Sequence, residues 1–101
     1  MHNYIHMRPK KTRWVKCSPL ERTFKPQTKR NIPGSIVLSL DEFEAVRLLD
    51  YEGLSQMAVA KQMHVHRSTV SRIISSARKK IAQALVDIKS LKIEGGCCKV
   101  V

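Results

Sequence analysis

Gln56-Met57-Ala58-Val59-Ala60-Lys61-Gln62-Met63-His64-Val65-His66-Arg67-Ser68-Thr69-Val70-Ser71-Arg72-Ile73 is the stretch whose reading decides the fold. Two helices that cross steeply need a small residue where they touch, apolar residues to lock the turn, and a spaced apolar pair on the second helix. Ala60 meets the first need, Met63 and Val65 the second, and Val70 with Ile73 the third. The turn favours a residue that tolerates positive φ, and His64 stands where glycine is usual. Histidine is among the non-glycine residues enriched there. The spacing therefore predicts a helix-turn-helix unit.

Downstream, Val70, Ile73, Ile74, Ala77, Ile81, Ala84, Leu85, Ile88 and Leu91 fall within an arc of about 120° at helical spacing, the stripe of an amphipathic helix. This predicts one long helix from Arg67 to between Leu91 and Ile93, stopped by Gly95-Gly96. Upstream, Ser39 and Glu42 have the spacing of a capping box, with Leu38 and Phe43 as its hydrophobic staple. A first helix is expected over about Leu40 to Glu52, with Phe43, Val46 and Leu49 inward and Gly53 ending it in the left-handed region. Ser55 then caps a helix through Met63, and Leu54 and Val59 repeat the staple. Residues 1–34 hold all four prolines and read as extended segments and turns, and Ile36-Val37-Leu38 as a brief extended piece. The expected architecture is all-α: a three-helix helix-turn-helix domain over 35–94 with a long C-terminal helix, a basic extended arm over 1–34, and a flexible Gly/Cys tail over 95–101.

The charge narrows the partner. Nineteen Lys and Arg against eight Asp and Glu give a net +11, with a pI near 10.1, the electrostatic footprint of a polyanion binder. It is segregated: residues 1–34 carry +8, 35–66 carry −3 and 67–101 carry +6, which predicts a basic face rather than an even coat. No apolar run reaches membrane-spanning length and the N-terminus lacks a signal-peptide apolar region, so no membrane partner and a cytoplasmic location are expected. Cys17, Cys97 and Cys98 are odd in number and two are adjacent, a poor disulfide framework that fits a reducing compartment.

With Val70 and Ile73 inward, Ser68, Arg72, Ser75 and Lys79 lie on the opposite side of the same helix. That face is expected in the major groove of double-stranded DNA. Its N-terminal end adds His66, Arg67 and Ser71, suited to base edges because arginine can bond guanine O6 and N7 together. Arg78, Lys79 and Lys80 lie further along and suit phosphates. In the arm, Arg8, Lys10, Lys11 and Arg13 are placed to follow a backbone or enter the minor groove, while Trp14-Val15 packs, with the C-terminal half of the long helix as the expected partner. Val86 lies about 160° from the buried stripe, on a face a lone chain leaves wet, which points to a homodimer on a two-fold site.

These residues resemble a family of small uncharacterised bacterial and archaeal proteins predicted to bind DNA, whose helix-turn-helix is similar to region 4 of sigma factors. The likeness is carried by Arg8-Pro9-Lys10-Lys11, Phe24-Lys25-Pro26, the run from Leu38 to Leu48, Glu52-Gly53-Leu54-Ser55-Gln56, Ser76-Ala77-Arg78-Lys79-Lys80-Ile81-Ala82 and Ile93-Glu94-Gly95-Gly96. The resemblance implies a winged-helix-like or sigma region 4-like domain and a transcription regulator.

Rival readings follow from the same residues. An RNA-binding protein would share the charge but lacks aromatic pairs for stacking on bases. A module that docks on RNA polymerase would use the acidic residues Asp41, Glu42, Glu44, Asp50 and Glu52 of helix one, whose N-terminal carboxylates oppose the dipole while the rest look solvated. Cys17, Cys97 and Cys98 offer three thiolates to a soft metal, but not at the usual spacing for one tetrahedral site, so reduced thiols and no metal or other cofactor are expected. No nucleophile with an adjacent base and no carboxylate pair is nominated, so an enzyme is not expected.

Overall fold

The computed structural model describes residues 12–16, 22–31, 34–96 and 98–101. Strands β1 (Arg13–Val15), β2 (Arg22–Phe24) and β3 (Ser35–Leu38) precede helices α1 (Leu40–Val46), α2 (Gln56–Met63) and α3 (Arg67–Val86), and β4 (Ser90–Ile93) and β5 (Cys98–Val100) follow. The expectation of an all-α domain is overturned: three helices share the fold with five strands in two sheets, so the architecture is mixed α/β.

The helix starts form where local chemistry puts them. Ser39 caps α1, and the reciprocal capping box with Glu42 is complete. Ser55 caps α2 by accepting the Ala58 N–H. After Val46 the helix continues, but as a π-helical turn over Arg47–Tyr51, which the first helix was not expected to contain. Gly53 at φ 76° then releases the chain.

The long helix ends earlier than the stripe suggests. Asp87 caps α3, Ile88 sits in the left-handed region at φ 53°, and the Lys89 N–H closes the end on the Ala84 carbonyl. Leu91 and Ile93, expected on or beside the helix, belong instead to β4. Spacing hid this, because Leu91 continues the helical stripe while Leu91 and Ile93 also alternate as a strand requires.

β4 is the centre of a three-stranded sheet, pairing antiparallel with β2 and parallel with β3. β1 and β5 form a separate parallel pair, so residues from the first and last parts of the chain meet. The sheets divide the core in two. Ala45, Leu48, Val59, Ala60, Met63, Val70, Ile73 and Ile74 fill the space among the helices, with Leu54 and Val65 packed on them. Leu38, Ala77 and Ile93 form a second cluster with Phe43, Ile81 and Leu91 under the three-stranded sheet. Both staple pairs close on these clusters, Leu54 and Val59 on the first, Leu38 and Phe43 on the second. α3 is therefore held along its length by two cores, and truncating fully buried Met63 to alanine should cost about 2–5 kcal/mol. Leu85 and Ile88 were expected in the buried stripe but are 76% and 52% exposed, because the sheet leaves the last turn of α3 partly uncovered.

Candidate nucleic-acid interface

The turn between α2 and α3 sets the start of the basic helix. His64 adopts φ 56° and ψ 45°, the left-handed geometry the sequence placed there, and its N–H and that of Val65 close the end of α2. The Trp14 indole stacks on the His64 imidazole with centroids 3.5 Å apart and planes inclined by 18°. Lys99 Nζ lies 5.7 Å from the indole centroid. Trp14 thus packs on the turn and not on the C-terminal half of α3, because the pairing of β1 with β5 carries it to α2. Such stacking contributes about 0.5–1.5 kcal/mol beyond area burial, and here it stiffens the joint that aims α3.

His66 caps α3. Its Nδ1 accepts the Ser68 N–H at 3.2 Å and lies 2.9 Å from Ser68 Oγ, so these two groups are engaged in starting the helix. Beyond the cap, Arg67, Ser68, Arg72, Ser75 and Lys79 are all exposed. From Ser68 to Lys79 this face runs about 16 Å along the axis. Among the described residues no carboxylate lies within ion-pair distance of Arg67, Arg72 or Lys79. Among the described residues Arg72 makes one long contact, within the helix, Nη2 to Thr69 Oγ1 at 3.4 Å. It borders a depression of about 300 Å³ that also contains Asp41 and Glu42, and both of those carboxylates are already hydrogen bonded.

Other residues placed on the face serve the fold. Ser71 is half-buried, and its Oγ donates to Gln56 Oε1 at 2.7 Å, tying α3 to the start of α2. Arg78 forms a two-pronged pair with Asp50, Nη2 to Oδ1 at 2.6 Å and Nε to Oδ2 at 3.2 Å. The hydrogen bond from Arg78 holds the Asp50 carboxyl below its ordinary value. Lys80 Nζ donates to Glu42 Oε1 at 2.8 Å. Arg13 lies on β1 with Nε 3.5 Å from Asp41 Oδ2, and that buried nitrogen has no hydrogen-bond partner among the described residues. Arg8, Lys10 and Lys11 lie outside the described residues.

Glu42 is the hub of this inner side. It accepts from Ser39 N, Ser39 Oγ, Ser76 Oγ and Lys80 Nζ while only 6% exposed. Burial pushes its carboxyl up, but the hydrogen bonds from Lys80, Ser76 and Ser39 outweigh burial and leave it below the ordinary value. Glu44, expected in solvent, is 1% exposed and accepts Lys16 N at 2.7 Å and Arg47 Nε at 2.8 Å. The capping spacing revealed one role of Glu42. Its tie to α3 depended on Ser76 and Lys80, four residues apart and hence on one helix face, arriving opposite α1, which needs the fold to be known.

Cys98 lies on β5, half-buried, while Cys17 and Cys97 fall outside the described residues. No group of three or more potential metal ligands occurs among the described residues, and none of their helices is long and apolar enough to cross a membrane.

The whole chain, residues 1–101, matches the model of a family described as protein of unknown function DUF134. A UPF0251 protein of Prosthecochloris aestuarii is 49% identical over 100 residues, covering 95% of this chain and 63% of the relative. One from Thermoanaerobacter pseudethanolicus is 45% identical, covering 92% of this chain and 80% of the relative. One from Methanosarcina mazei is 43% identical, with 89% of this chain and 56% of the relative covered. The chain thus spans less than two thirds of the length of the first and last of these. No solved structure matches. The chain belongs to the DUF134 family.

Proposed function

We propose that this member of the family binds double-stranded DNA sequence-specifically and regulates transcription, with the N-terminal half of α3 in the major groove. The observation that carries the reading is the exposed row Arg67, Ser68, Arg72, Ser75 and Lys79, whose three cations have no carboxylate within ion-pair distance among the described residues, on a helix fixed by two cores. Arg72 is the base reader: it is five residues past the helix start, and its planar fork can bond one guanine twice. Arg67, at the N-terminal end, suits a neighbouring base edge, and Lys79 further along suits a phosphate. The helix-turn-helix of the sigma region 4 type is the docking mode this arrangement suits.

The polymerase-docking alternative needs an acidic surface on α1. Asp41, Glu42 and Glu44 are instead buried at 8%, 6% and 1% exposure and bonded internally, while Asp50 and Glu52 pair with Arg78 and Arg47. Among the described residues, the outer face of α3 keeps its cations clear of these carboxylates. Two copies on a two-fold site remain part of the proposal, with Val86, 79% exposed, on the pairing face.

Selection of bound sequences from random duplex DNA, with an RNA competitor present, tests the reading. A single enriched motif that RNA does not displace is the expected result. Equal competition by RNA, or no enrichment, contradicts it.

A further inference from the structure

We propose that the segment following β2, residues 25–31, is a second DNA contact, a site for the sugar-phosphate backbone of a duplex that reads no sequence. It rests on the DNA-binding reading above, but not on the placing of α3 in the major groove. Lys25, Lys29 and Arg30 are exposed, and among the described residues no carboxylate lies within ion-pair distance of them. The sequence offers none nearby either: from Arg22 to Leu40 there are four cations and no acidic residue. An ordinary solvated surface intersperses both signs, whereas a run of one sign sustains a local positive potential.

The remaining side chains indicate which polyanion. Gln27, Thr28 and Asn31 are also exposed, and Pro26 is half-buried. Lysine, arginine, glutamine, threonine and asparagine are side chains that meet phosphate oxygens. A protein interface instead centres on aromatic and apolar residues and is depleted in lysine. The segment has no aromatic ring on which an unpaired base could stack. A duplex backbone is the partner these donors fit.

The fold holds the start of the segment. β2 pairs with β4, the Arg22 guanidinium lies 5.0 Å from the centre of the Phe43 ring, and Lys25 and Pro26 line a groove against Ile81, Ala84 and Leu85. Further on, the Arg30 N–H donates to Thr28 Oγ1 at 3.1 Å, closing a local turn. Ile81 and Ala84 belong to the inward stripe of α3, opposite Arg72 and Lys79. From Arg72 to Leu85 the helix runs about 20 Å. The segment therefore meets a different stretch of backbone from the one beside Arg72.

The salt dependence of duplex affinity tests the site, measured by anisotropy for the full chain and for Lys25→Gln/Lys29→Gln/Arg30→Gln on the selected duplex and on a scrambled one. Each phosphate contact contributes about 0.9 to the slope of log K against log salt, so the triple variant should lose about 2–3 from the slope and about tenfold or more in affinity, equally on both duplexes. Lys29→Gln/Arg30→Gln, which leaves the groove untouched, should lose about 2. Above about 0.1 M salt, charges farther than about 10 Å from the duplex are largely screened, so a change in net charge alone does not reproduce these losses. All three side chains are exposed, and both variants should melt as the parent does. Slopes unchanged in both variants, or a loss confined to the selected duplex, would overturn the proposal. So would poly-glutamate bound by the parent and not by the triple variant while duplex affinity stays level, which assigns the segment to an acidic protein. Failure of the α3 reading gives another pattern: Arg72→Ala without effect on either duplex, with the triple variant still losing slope, leaves this site standing.

Discussion

Lys79 and Lys80 are neighbours on α3, yet they belong to different regions of the molecule. Lys79 stands on the outer face with Arg67 and Arg72, exposed and with no acidic partner among the described residues. Lys80 turns to the inner side, where it closes on the buried Glu42 at 2.8 Å. Arg72 and Arg78 repeat the contrast, since Arg78 is committed to Asp50. One residue type in one basic block thus divides into cations that hold the fold and cations left for a partner. Composition and block charge cannot separate them; only the arrival of α1 and its carboxylates against one side of α3 does.

The sharpest way to break the comparison is to remove the inner hub. Glu42→Ala strips Lys80, Ser76 and the Ser39 cap of their shared acceptor and should cost about 2–4 kcal/mol of stability in denaturant unfolding. Loss well under 1 kcal/mol would mean that the inner cations are as unspent as the outer ones.

Acid should act on the same carboxylate. Because the folded pKa of Glu42 lies below its ordinary value of 4.5, its contribution is fully present above that value and is lost as pH falls through the folded pKa. Thermal unfolding should therefore weaken progressively below about pH 4.5, and the Glu42→Ala variant should lose less over that window. Parallel acid profiles for the two proteins would assign the loss elsewhere.

A smaller effect compares the adjacent lysines directly. Lys80→Ala should lower stability by about 1–2 kcal/mol by leaving Glu42 short of a donor, whereas Lys79→Ala should change it by less than about 0.5 kcal/mol. Salt-dependent DNA affinity should show the reverse order, with the larger loss for Lys79→Ala. Equal behaviour of the two in both measurements would erase the distinction.

Much of the helical frame is legible in the residues themselves. The caps at Ser39 and Ser55, the glycine stop at Gly53 and the left-handed His64 are local features, fixed by side chains within a few positions of each other, and the structure has each in place. What spacing missed was non-local. β1 and β5, or β2, β4 and β3, find each other across most of the chain length, and strands of three or four residues carry little periodic signal of their own. Leu91 suits both periods, so its spacing extends the helical stripe past the end of α3 and hides the strand. The same limit applies at the interface: exposure of Ser68, Arg72 and Ser75 follows from helix geometry, while the commitments of Arg13, Ser71, Arg78 and Lys80 depend on what packs opposite.

The central claim, that the outer cations read DNA and the inner ones do not, is tested most directly by Arg72→Ala against Arg78→Ala, measured on the selected duplex and on a scrambled one. Arg72→Ala should cost about 1–3 kcal/mol at the selected site and much less on the scrambled duplex, while Arg78→Ala leaves the ratio of the two affinities unchanged. Both variants should keep the circular dichroism of the parent, since neither side chain faces the core. Equal losses on both duplexes for Arg72→Ala, or a loss of discrimination in Arg78→Ala instead, would contradict the account.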